Sequence, residues 1–295
     1  MLPYMTCGDD FLVILAYKTG QLGNRLFHYA HWLANAWEYG YTLYNPSFDE
    51  YGMYFSRESM YEREKGPLSL WWIRQVILLL ARVVFKCMAV CGKKTAGNAW
   101  IRFYRLREDE ECDLRDAAFI RLREGTKCFV VQGWLYRDPI SLRIHGDRVR
   151  DFFRILPMYE QRVAALMEKI RAAEDQVIIG LHLRRGDYKN FLGGIYYYTN
   201  EAYWEVMGKV ETYFLGKKIR WLLCSNEPVD AEVFSSFDIV LGNGQIVEDM
   251  YAFAACDYLV GPPSTYTGWA AFYGKKPLYY IEKRSGEIQF EEING

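Results

Sequence analysis

The fold follows from one stretch of sequence, Val177-Ile-Ile-Gly-Leu-His-Leu-Arg-Arg-Gly-Asp-Tyr188. Its first half is a short apolar run rich in β-branched residues, which is typical of a strand buried on both faces. Its second half is basic and ends in Gly-Asp, so the strand runs into a loop. Because side chains alternate along a strand, Gly180, His182 and Arg184 fall on one face, and the leucines and Arg185 fall on the other.

Arg184 stands at the carboxyl end of this strand, the edge where open α/β sheets bind their ligands. Its planar guanidinium matches phosphate oxygens, so we interpret it as a clamp for an anion. The alternative is that Arg184 and Arg185 form structural ion pairs with local acids. Two successive arginines beside a buried strand are costly to desolvate, which favours an anionic ligand.

Composition narrows the class of protein. The 295 residues suffice for one large domain or two of ordinary size, and 51% hydrophobic with 25% charged residues is typical of a soluble globular chain. A net charge of -1 and the lack of a recognition motif argue against a nucleic-acid partner. Seven cysteines without a CxxC pair fit a reducing compartment, and the N-terminus lacks a signal-peptide pattern. We therefore expect a cytoplasmic protein.

Both halves of the chain alternate strand-like and helix-like segments. From residue 177 onward, short apolar runs alternate with helical spacing, which predicts a parallel sheet. The first half opens with a strand at 11–17, a glycine-bearing turn at 19–24, a helix that ends at Gly40 and a strand at 41–44. The turn is suited to phosphate but is not GxGxxG, so the dinucleotide fingerprint is absent. We predict two α/β halves with a cleft between them.

A second turn, Gly261-Pro-Pro-Ser-Thr265, precedes a predicted helix. Ser264 or Thr265 is a good N-cap, and hydroxyls with bare N–H groups at a helix start also suit a phosphate. An N-cap without further function is the alternative. Asp249 begins the preceding helix. There its carboxylate either interacts favourably with the helix dipole or accepts hydrogen bonds from a base edge. The sequence leaves both open.

Two features resemble metal sites only superficially. His28 and His31 are three apart on a predicted helix, but no third ligand has matching spacing, so packing or surface histidines are favoured. The acidic run 108–111 follows Arg-Leu-Arg rather than a predicted core strand. We interpret it as a solvated charged turn, and we expect no metal.

The segment 70–90 has the length of a membrane span, but Arg74, Arg82 and Lys86 interrupt it. A basic amphipathic helix with adjacent tryptophans is suited to a membrane interface. Alternatively, the helix buries its apolar face in the domain while the long basic side chains reach solvent. Both interpretations stay open at this point.

Three stretches resemble the bacterial-type α-1,2-fucosyltransferases, within a wider group that includes α-1,6- and protein O-fucosyltransferases. Gly20-Gln-Leu-Gly-Asn-Arg-Leu-Phe-His-Tyr-Ala30 is similar to the family's Gly-x-x-Gly-Asn-x-x-Phe-x-Tyr-Ala. His182-Leu-Arg-Arg-Gly-Asp187 fits its His-x-Arg-Arg-x-Asp motif. Asp249 and Ser264-Thr-Tyr-Thr-Gly-Trp-Ala-Ala271 are similar to its C-terminal pattern. The matches lie in both halves, in the expected order.

The sequence also departs from this family. Gly268 stands where the family usually has a tryptophan, and Gly261-Pro-Pro263 replaces a more usual Asn-bearing approach. Residues 50–115 have no obvious counterpart. These segments fall where acceptor contacts are expected, so they leave the acceptor and the regiochemistry open.

The resemblance implies a GT-B fold, with two Rossmann-like domains facing a cleft. Residues 1–155 would form the acceptor-side domain, with a helical insertion at about 66–125. Residues 156–295 would form the domain that binds the GDP-sugar.

The resemblance also implies the site residues. Arg184 would contact the diphosphate of the donor and take part in catalysis, and Arg185 would support its loop. Asp187 is the nearest candidate for the catalytic base. Recognition of the guanine would fall to His182 and Asp249. Phosphate would be bound by Ser264 and Thr265. From the other domain, Gly23 and Asn24 would close over the diphosphate.

The implied reaction is an inverting, metal-independent transfer of L-fucose from GDP-fucose to a glycan. The expected product is an α-1,2 linkage to a terminal β-galactoside in surface polysaccharide synthesis, and no resident cofactor is expected. Contact of 70–90 with the inner membrane face would suit a lipid-linked oligosaccharide acceptor. Two alternatives remain: a transferase of this fold that uses another GDP-sugar, and a non-catalytic glycan- or nucleotide-binding module.

Overall fold

The structure is a computed structural model that describes residues 11–56, 71–171, 175–282 and 287–293. The chain divides into two compact units, and the division falls between Ile155 and Leu156. Each unit is built on a mainly parallel β-sheet with helices, so the α/β fold class predicted from the sequence is confirmed.

The first unit begins with a strand, a long helix and a second strand, as the sequence pattern predicts. In chain order its elements are β1 (Leu12–Leu15), α1 (Leu22–Tyr39), β2 (Thr42–Tyr44), α2 (Asp49–Gly52), α3 (Trp71–Val90), β3 (Thr95–Gly97), β4 (Ile101–Arg105), β5 (Cys112–Asp113), α4 (Ala117–Glu124), β6 (Cys128–Gln132), β7 (Tyr136–Arg137), α5 (Pro139–Ile144) and α6 (Gly146–Phe152).

The sheet of the first unit has the order β2-β1-β6-β4-β3. Strands β2, β1, β6 and β4 run parallel, and β3 pairs antiparallel with β4. Parallel strands bring their carboxyl ends to one edge of a sheet. The segments that follow β1, β4 and β6 therefore start at a common edge. Strands β5 and β7 form a separate parallel pair.

Helix α1 ends where the sequence predicts, because Gly40 adopts the left-handed conformation with φ of 71° that glycine reaches without steric cost. Helix α3 packs Leu78, Ala81 and Phe85 into a core cluster on the sheet. The span 66–125, predicted as a helical insertion, also contributes β3 and β4 to this sheet. Within the described residues 71–125, the span is therefore helical only in part.

The second unit alternates helices and strands, except that only a short 3-10 helix (Ala231–Phe234) separates its second and third strands. Its elements are α7 (Pro157–Ile170), β8 (Gln176–Leu183), α8 (Asn200–Tyr213), β9 (Lys218–Ser225), β10 (Ile239–Leu241), α9 (Ile246–Ala255), β11 (Tyr258–Gly261), α10 (Thr265–Gly274) and β12 (Leu278–Tyr280).

All strands of the second sheet are parallel, in the order β10-β9-β8-β11-β12. Counted within this unit, the order is 3-2-1-4-5, which is that of a Rossmann-type sheet. The direction of progress along the sheet reverses between β8 and β11. In folds of this kind, ligands bind in the crevice at the carboxyl ends of the strands where the order reverses.

Strand β8 is buried on both faces, and its side chains alternate as predicted. Leu181 and Leu183 belong to the core cluster that also holds Tyr203 of α8. Gly180 faces the other side, where an added Cβ atom would lie 2.6 Å from Phe253. A larger residue at Gly180 would therefore push the helix layer away from the strand.

Among the described residues, no helix is both long and apolar enough to cross a membrane.

Candidate functional site

Arg184 follows the last residue of β8 and lies at the point where the strand order reverses. Its side chain is 13% exposed, and its Nη2 atom lies 2.8 Å from both carboxylate oxygens of Asp187. The guanidinium also lies over the ring of Tyr188, 4.9 Å from its centroid. The Tyr188 hydroxyl donates to the carbonyl of Pro263 at 2.7 Å, which joins the loop after β8 to the loop after β11.

Arg184 therefore pairs with a local acid. This is the contact expected if the arginine has a structural role. It also occupies Asp187, the residue predicted as the base. The Asp187 side chain is 53% exposed, so the acidic partner of the pair reaches solvent. In this arrangement Asp187 orients Arg184, and its role as the catalytic base stays a prediction.

Arg185 holds the loop after β8 in place. Its backbone N–H donates to the Oδ1 atom of Asn226 at 2.9 Å, and its guanidinium donates to Asn200 and lies over the ring of Tyr203. The next residue, Gly186, has φ of +60°. These contacts are the ones that a residue supporting the loop would make.

His182 is buried beneath Arg184. Its Nδ1 atom lies 2.8 Å from the Thr267 hydroxyl, and its ring packs against Tyr266 with centroids 5.0 Å apart. Burial, assisted by the positive charge of Arg184, lowers the pKa of His182 to about 3. The imidazole is therefore neutral at physiological pH. Thr267 is a site residue that sequence reasoning missed.

Asp249 lies in the first turn of α9 and is 5% exposed. Its two carboxylate oxygens accept the backbone N–H groups of Asn243 at 2.8 Å and Gly244 at 3.2 Å. Burial raises the pKa of Asp249 to about 6, although the two N–H bonds oppose that rise. The carboxylate thus fixes the loop that follows β10.

Ser264 and Thr265 occupy the start of α10. The Ser264 hydroxyl accepts the backbone N–H of Tyr266 at 3.2 Å, so the predicted N-cap is confirmed. Thr265 is the first residue of the helix. The positive end of the helix dipole therefore lies at the carboxyl end of β11, next in the sheet to β8.

Gly23 and Asn24 belong to the first turn of α1, in the first unit. The N-cap residue Gln21 makes no side-chain hydrogen bond to the helix start. Gly20 has φ of +47°, and an added Cβ atom would lie 2.3 Å from the Asn24 amide nitrogen. This turn requires glycine at position 20, because the Asn24 side chain packs directly over it.

Asn24 also lines a cavity of about 380 Å³ at the carboxyl edge of the first sheet. The other walls come from segments 17–20, 105–108 and 132–134, which follow or end β1, β4 and β6. Both sheets thus present candidate ligand residues at their carboxyl edges.

His28 and His31 are buried packing residues. His28 Nε2 accepts the indole N–H of Trp32 at 3.1 Å, and His31 Nδ1 accepts the backbone N–H of Asp138 at 3.1 Å. Burial lowers their pKa values to about 3 and about 4, so both are neutral. Within the described residues, no group of three or more His, Cys, Asp or Glu side chains could hold a metal ion.

The acidic run 108–111 was predicted to be a solvated charged turn, and residues 108 and 109 form an exposed turn. Strand β4 ends at Arg105, and the run begins three residues later. The charged side chains of Arg102 and Arg105 interrupt the apolar pattern and hide the strand. Glu110 of the run pairs with Arg107 at 3.0 Å.

No protein-family model matches this sequence, and neither does any curated protein. Solved structures do match. A mutant of Arabidopsis thaliana FUT1 in complex with GDP aligns with a TM-score of 0.66 over 96% of this chain and 73% of that chain, at 14% identity. The fold is that of GT-B-type fucosyltransferases.

Two further structures support this fold. NodZ, an α-1,6-fucosyltransferase soaked with GDP-fucose, aligns with a TM-score of 0.53 over 96% of this chain and 99% of that chain, at 16% identity. POFUT1 in complex with GDP aligns with a TM-score of 0.51 over 90% of this chain and 94% of that chain, at 10% identity. At these identities the likeness concerns the fold alone.

Proposed function

We propose that this chain is an inverting glycosyltransferase that moves L-fucose from GDP-fucose to a glycan. One observation carries the proposal: Arg184 and the start of α10 lie at adjacent strand ends, where the strand order reverses. The fold match with structures that contain GDP or GDP-fucose supports the choice of donor.

In this proposal Arg184 exchanges Asp187 for the donor diphosphate. As the bond from fucose to the diphosphate breaks, negative charge grows on the leaving group. A guanidinium and a helix N-terminus already in place stabilise that charge without reorganisation. Ser264 and Thr265 contribute their hydroxyls and the first N–H groups of α10. We therefore propose that the transfer needs no metal ion.

Asp249 and His182 are our candidates for recognition of the guanine. The Asp249 carboxylate is held by the two backbone N–H groups, and each oxygen keeps a second lone pair for a ring or exocyclic N–H of the base. The neutral His182 is fixed by Thr267 and can exchange a hydrogen bond with a base edge. Arg185 supports the loop, and Gly23 and Asn24 keep the diphosphate role that the resemblance implies.

For the acceptor we propose a terminal β-galactoside of a surface polysaccharide, joined in an α-1,2 linkage. The support is the family resemblance of 20–30, 182–187 and 264–271. We assign acceptor binding to the first unit, residues 1–155, and donor binding to the second, residues 156–295.

The outer face of α3 supports a contact with a membrane surface. Trp72, Val76, Leu79, Leu80 and Val83 are between 46% and 60% exposed. The helix contains no Asp or Glu, and the exposed residues Arg82 and Lys86 lie beside this apolar face. An apolar face flanked by basic residues suits anionic lipid headgroups.

We therefore propose that α3 binds the inner membrane face, where a lipid-linked oligosaccharide acceptor would be presented. Co-sedimentation with vesicles that contain phosphatidylserine tests this. Replacement of Leu79 and Val83 by Gln should abolish co-sedimentation, and replacement of Arg82 and Lys86 by Gln should remove only the preference for anionic vesicles. Equal co-sedimentation of wild type and both variants would contradict the proposal.

The catalytic proposal is tested by GDP release from GDP-fucose in the presence of EDTA, with and without a β-galactoside acceptor. Release that the acceptor stimulates is the expected result, and product analysis then gives the linkage. Release from GDP-mannose but not from GDP-fucose would instead favour a transferase of this fold that uses another GDP-sugar. Binding of GDP without turnover of any donor would favour a non-catalytic module.

A further inference from the structure

The loop after Arg184 contains an exposed leucine in a backbone conformation that leucine rarely adopts. Leu192 has φ of 48° and ψ of 39°, in the left-handed region. Positive φ is an outlier for a bulky residue, and such strain is concentrated at active sites and ligand contacts. In the described part of the chain, the other non-glycine residue with positive φ is Lys275, which ends α10. Leu192 instead lies within a short turn, Phe191–Gly194.

Burial does not offset the strain at Leu192. Its side chain is 62% exposed, and Phe191 and Ile195 are 48% and 60% exposed. The next two residues, Gly193 and Gly194, also have positive φ, of 69° and 79°. The turn thus uses glycine at these two positions but leucine at the first, where glycine would fit without strain. This pattern points to a ligand for the leucine side chain.

The exposed apolar side chains continue into the proposed diphosphate site. Phe191 stacks on the ring of Tyr188 with centroids 5.2 Å apart, and the Arg184 guanidinium lies 4.9 Å from the centroid of the same ring. The backbone N–H of Asn190 donates to the carbonyl of Asp187 at 3.2 Å, which ties the turn to the residue that pairs with Arg184. All of these groups belong to the second unit.

In a nucleotide sugar, the transferred sugar is bonded directly to the diphosphate, so a sugar whose diphosphate is held by Arg184 lies beside that arginine. L-Fucose is 6-deoxy-L-galactose and carries a methyl group at C6. We propose that Phe191 and Leu192 contact this methyl group and so select a 6-deoxy sugar, an inference that rests on the proposed function. Apolar contact favours the methyl group, whereas a hydroxyl at the same place would lose hydrogen bonds to water.

Two donors that differ only in the 6-hydroxyl, GDP-L-fucose and GDP-L-galactose, test this contact by calorimetry without an acceptor. Wild type should bind GDP-L-fucose about 10- to 10²-fold more tightly, the range in which apolar sites discriminate single groups. Leu192→Asn keeps much of the side-chain shape, tolerates the left-handed conformation and adds a polar group. It should bring the ratio of the two affinities close to one, and Phe191→Ala should lower the ratio as well.

Leu192→Gly separates the contact from the strain. It removes the side chain and fits the backbone, so this variant should unfold at an equal or higher denaturant concentration than wild type. The preference for GDP-L-fucose should nevertheless be lost. Lys275→Gly is the matched control, since it changes the other left-handed residue and should keep the wild-type ratio of affinities.

The affinity for GDP itself should be the same in wild type and all variants. A wild type without donor preference, or Leu192 variants that bind GDP normally and keep the preference, would refute the methyl contact alone. Equal loss of affinity for both donors would also refute it. A wild type that binds neither GDP nor GDP-L-fucose would refute the proposed function, and this inference with it.

Discussion

The polar residues at the carboxyl edges of the two sheets differ in their hydrogen bonding. At the second sheet, the candidate residues are already bonded within the chain: Arg184 to Asp187, His182 to Thr267, and Asp249 to two backbone N–H groups. At the first sheet, the cavity is lined by Thr19 and Gln132, whose side-chain Oγ1 and Oε1 atoms make no hydrogen bond with the described residues.

The bonded arrangement at the second sheet is what the proposed donor site would require. A diphosphate leaving group gains most from charges that are fixed before it arrives, because nothing then has to reorganise as its own charge develops. The comparison predicts which changes should affect turnover and which should affect stability.

The largest effect should follow from Arg184→Ala at the second edge. Loss of one preorganised charge at a transition state lowers turnover by about 10²- to 10³-fold, and loss of a whole guanidinium should reach at least that range. GDP release measures it. Arg171→Ala is the control, because Arg171 pairs with Asp257 next to the opposite end of β11. Near-normal turnover of the Arg184 variant would remove the basis for the clamp.

The next largest effect is a dependence of stability on pH. The folded state raises the pKa of Asp249 to about 6 from 3.8, so it binds the proton more tightly than the unfolded chain does. The resulting stabilisation is fully present below pH 3.8 and is lost as the pH rises through 6. A shift of this size corresponds to about 3 kcal/mol. Urea unfolding between pH 4 and 7 measures it, and Asp249→Asn should lack this component. An identical pH dependence in both proteins would contradict the prediction.

Ser264→Ala should cost about 1 kcal/mol of stability, because it removes the side chain that caps α10. Denaturant midpoints measure the loss. Replacement by Thr should keep most of the stability, since Thr is also an effective cap. An Ala variant as stable as the wild type would show that the cap hydrogen bond does not contribute to stability.

At the first edge, Thr19→Val should change stability in the opposite direction. It replaces a buried hydroxyl without a partner by a methyl group, so the free energy of unfolding should stay equal or increase by up to about 1 kcal/mol. Loss of stability in this variant would mean that the hydroxyl is satisfied within the folded chain, and the contrast between the two edges would weaken.

Much of the fold follows from local pattern. Buried parallel strands are apolar runs, so β8 and β6 were predictable from their own residues, and the alternation along β8 placed His182 and Gly180 correctly. Gly40 marks the end of α1 by its conformational freedom. Strand β4 was missed because Arg102 and Arg105 interrupt it, and with it the position of Glu108 at a sheet edge.

Contacts between distant residues could not be predicted. His182 meets Thr267 across 85 residues of sequence, and Asn35 donates to Asp138 across 103. Asn35 also accepts from Arg123 at 2.7 Å, so a charged residue that is 1% exposed is stabilised by partners that no spacing rule relates to it. The fate of Asp187 depends on a loop conformation that the sequence alone does not determine.

The place of β6 in the first sheet has a consequence for synthesis on the ribosome. This strand lies between β1 and β4, but it is the last of the three to be made. Until residue 132 has emerged, β1 with β2 and β4 with β3 are separate pairs, and helix α3 has no complete sheet on which to pack its inner face. Both apolar faces of α3 are then accessible on the nascent chain. Long-range strand pairing of this kind is slow and prone to aggregation, so we expect chaperone dependence to be greatest just before β6 is translated.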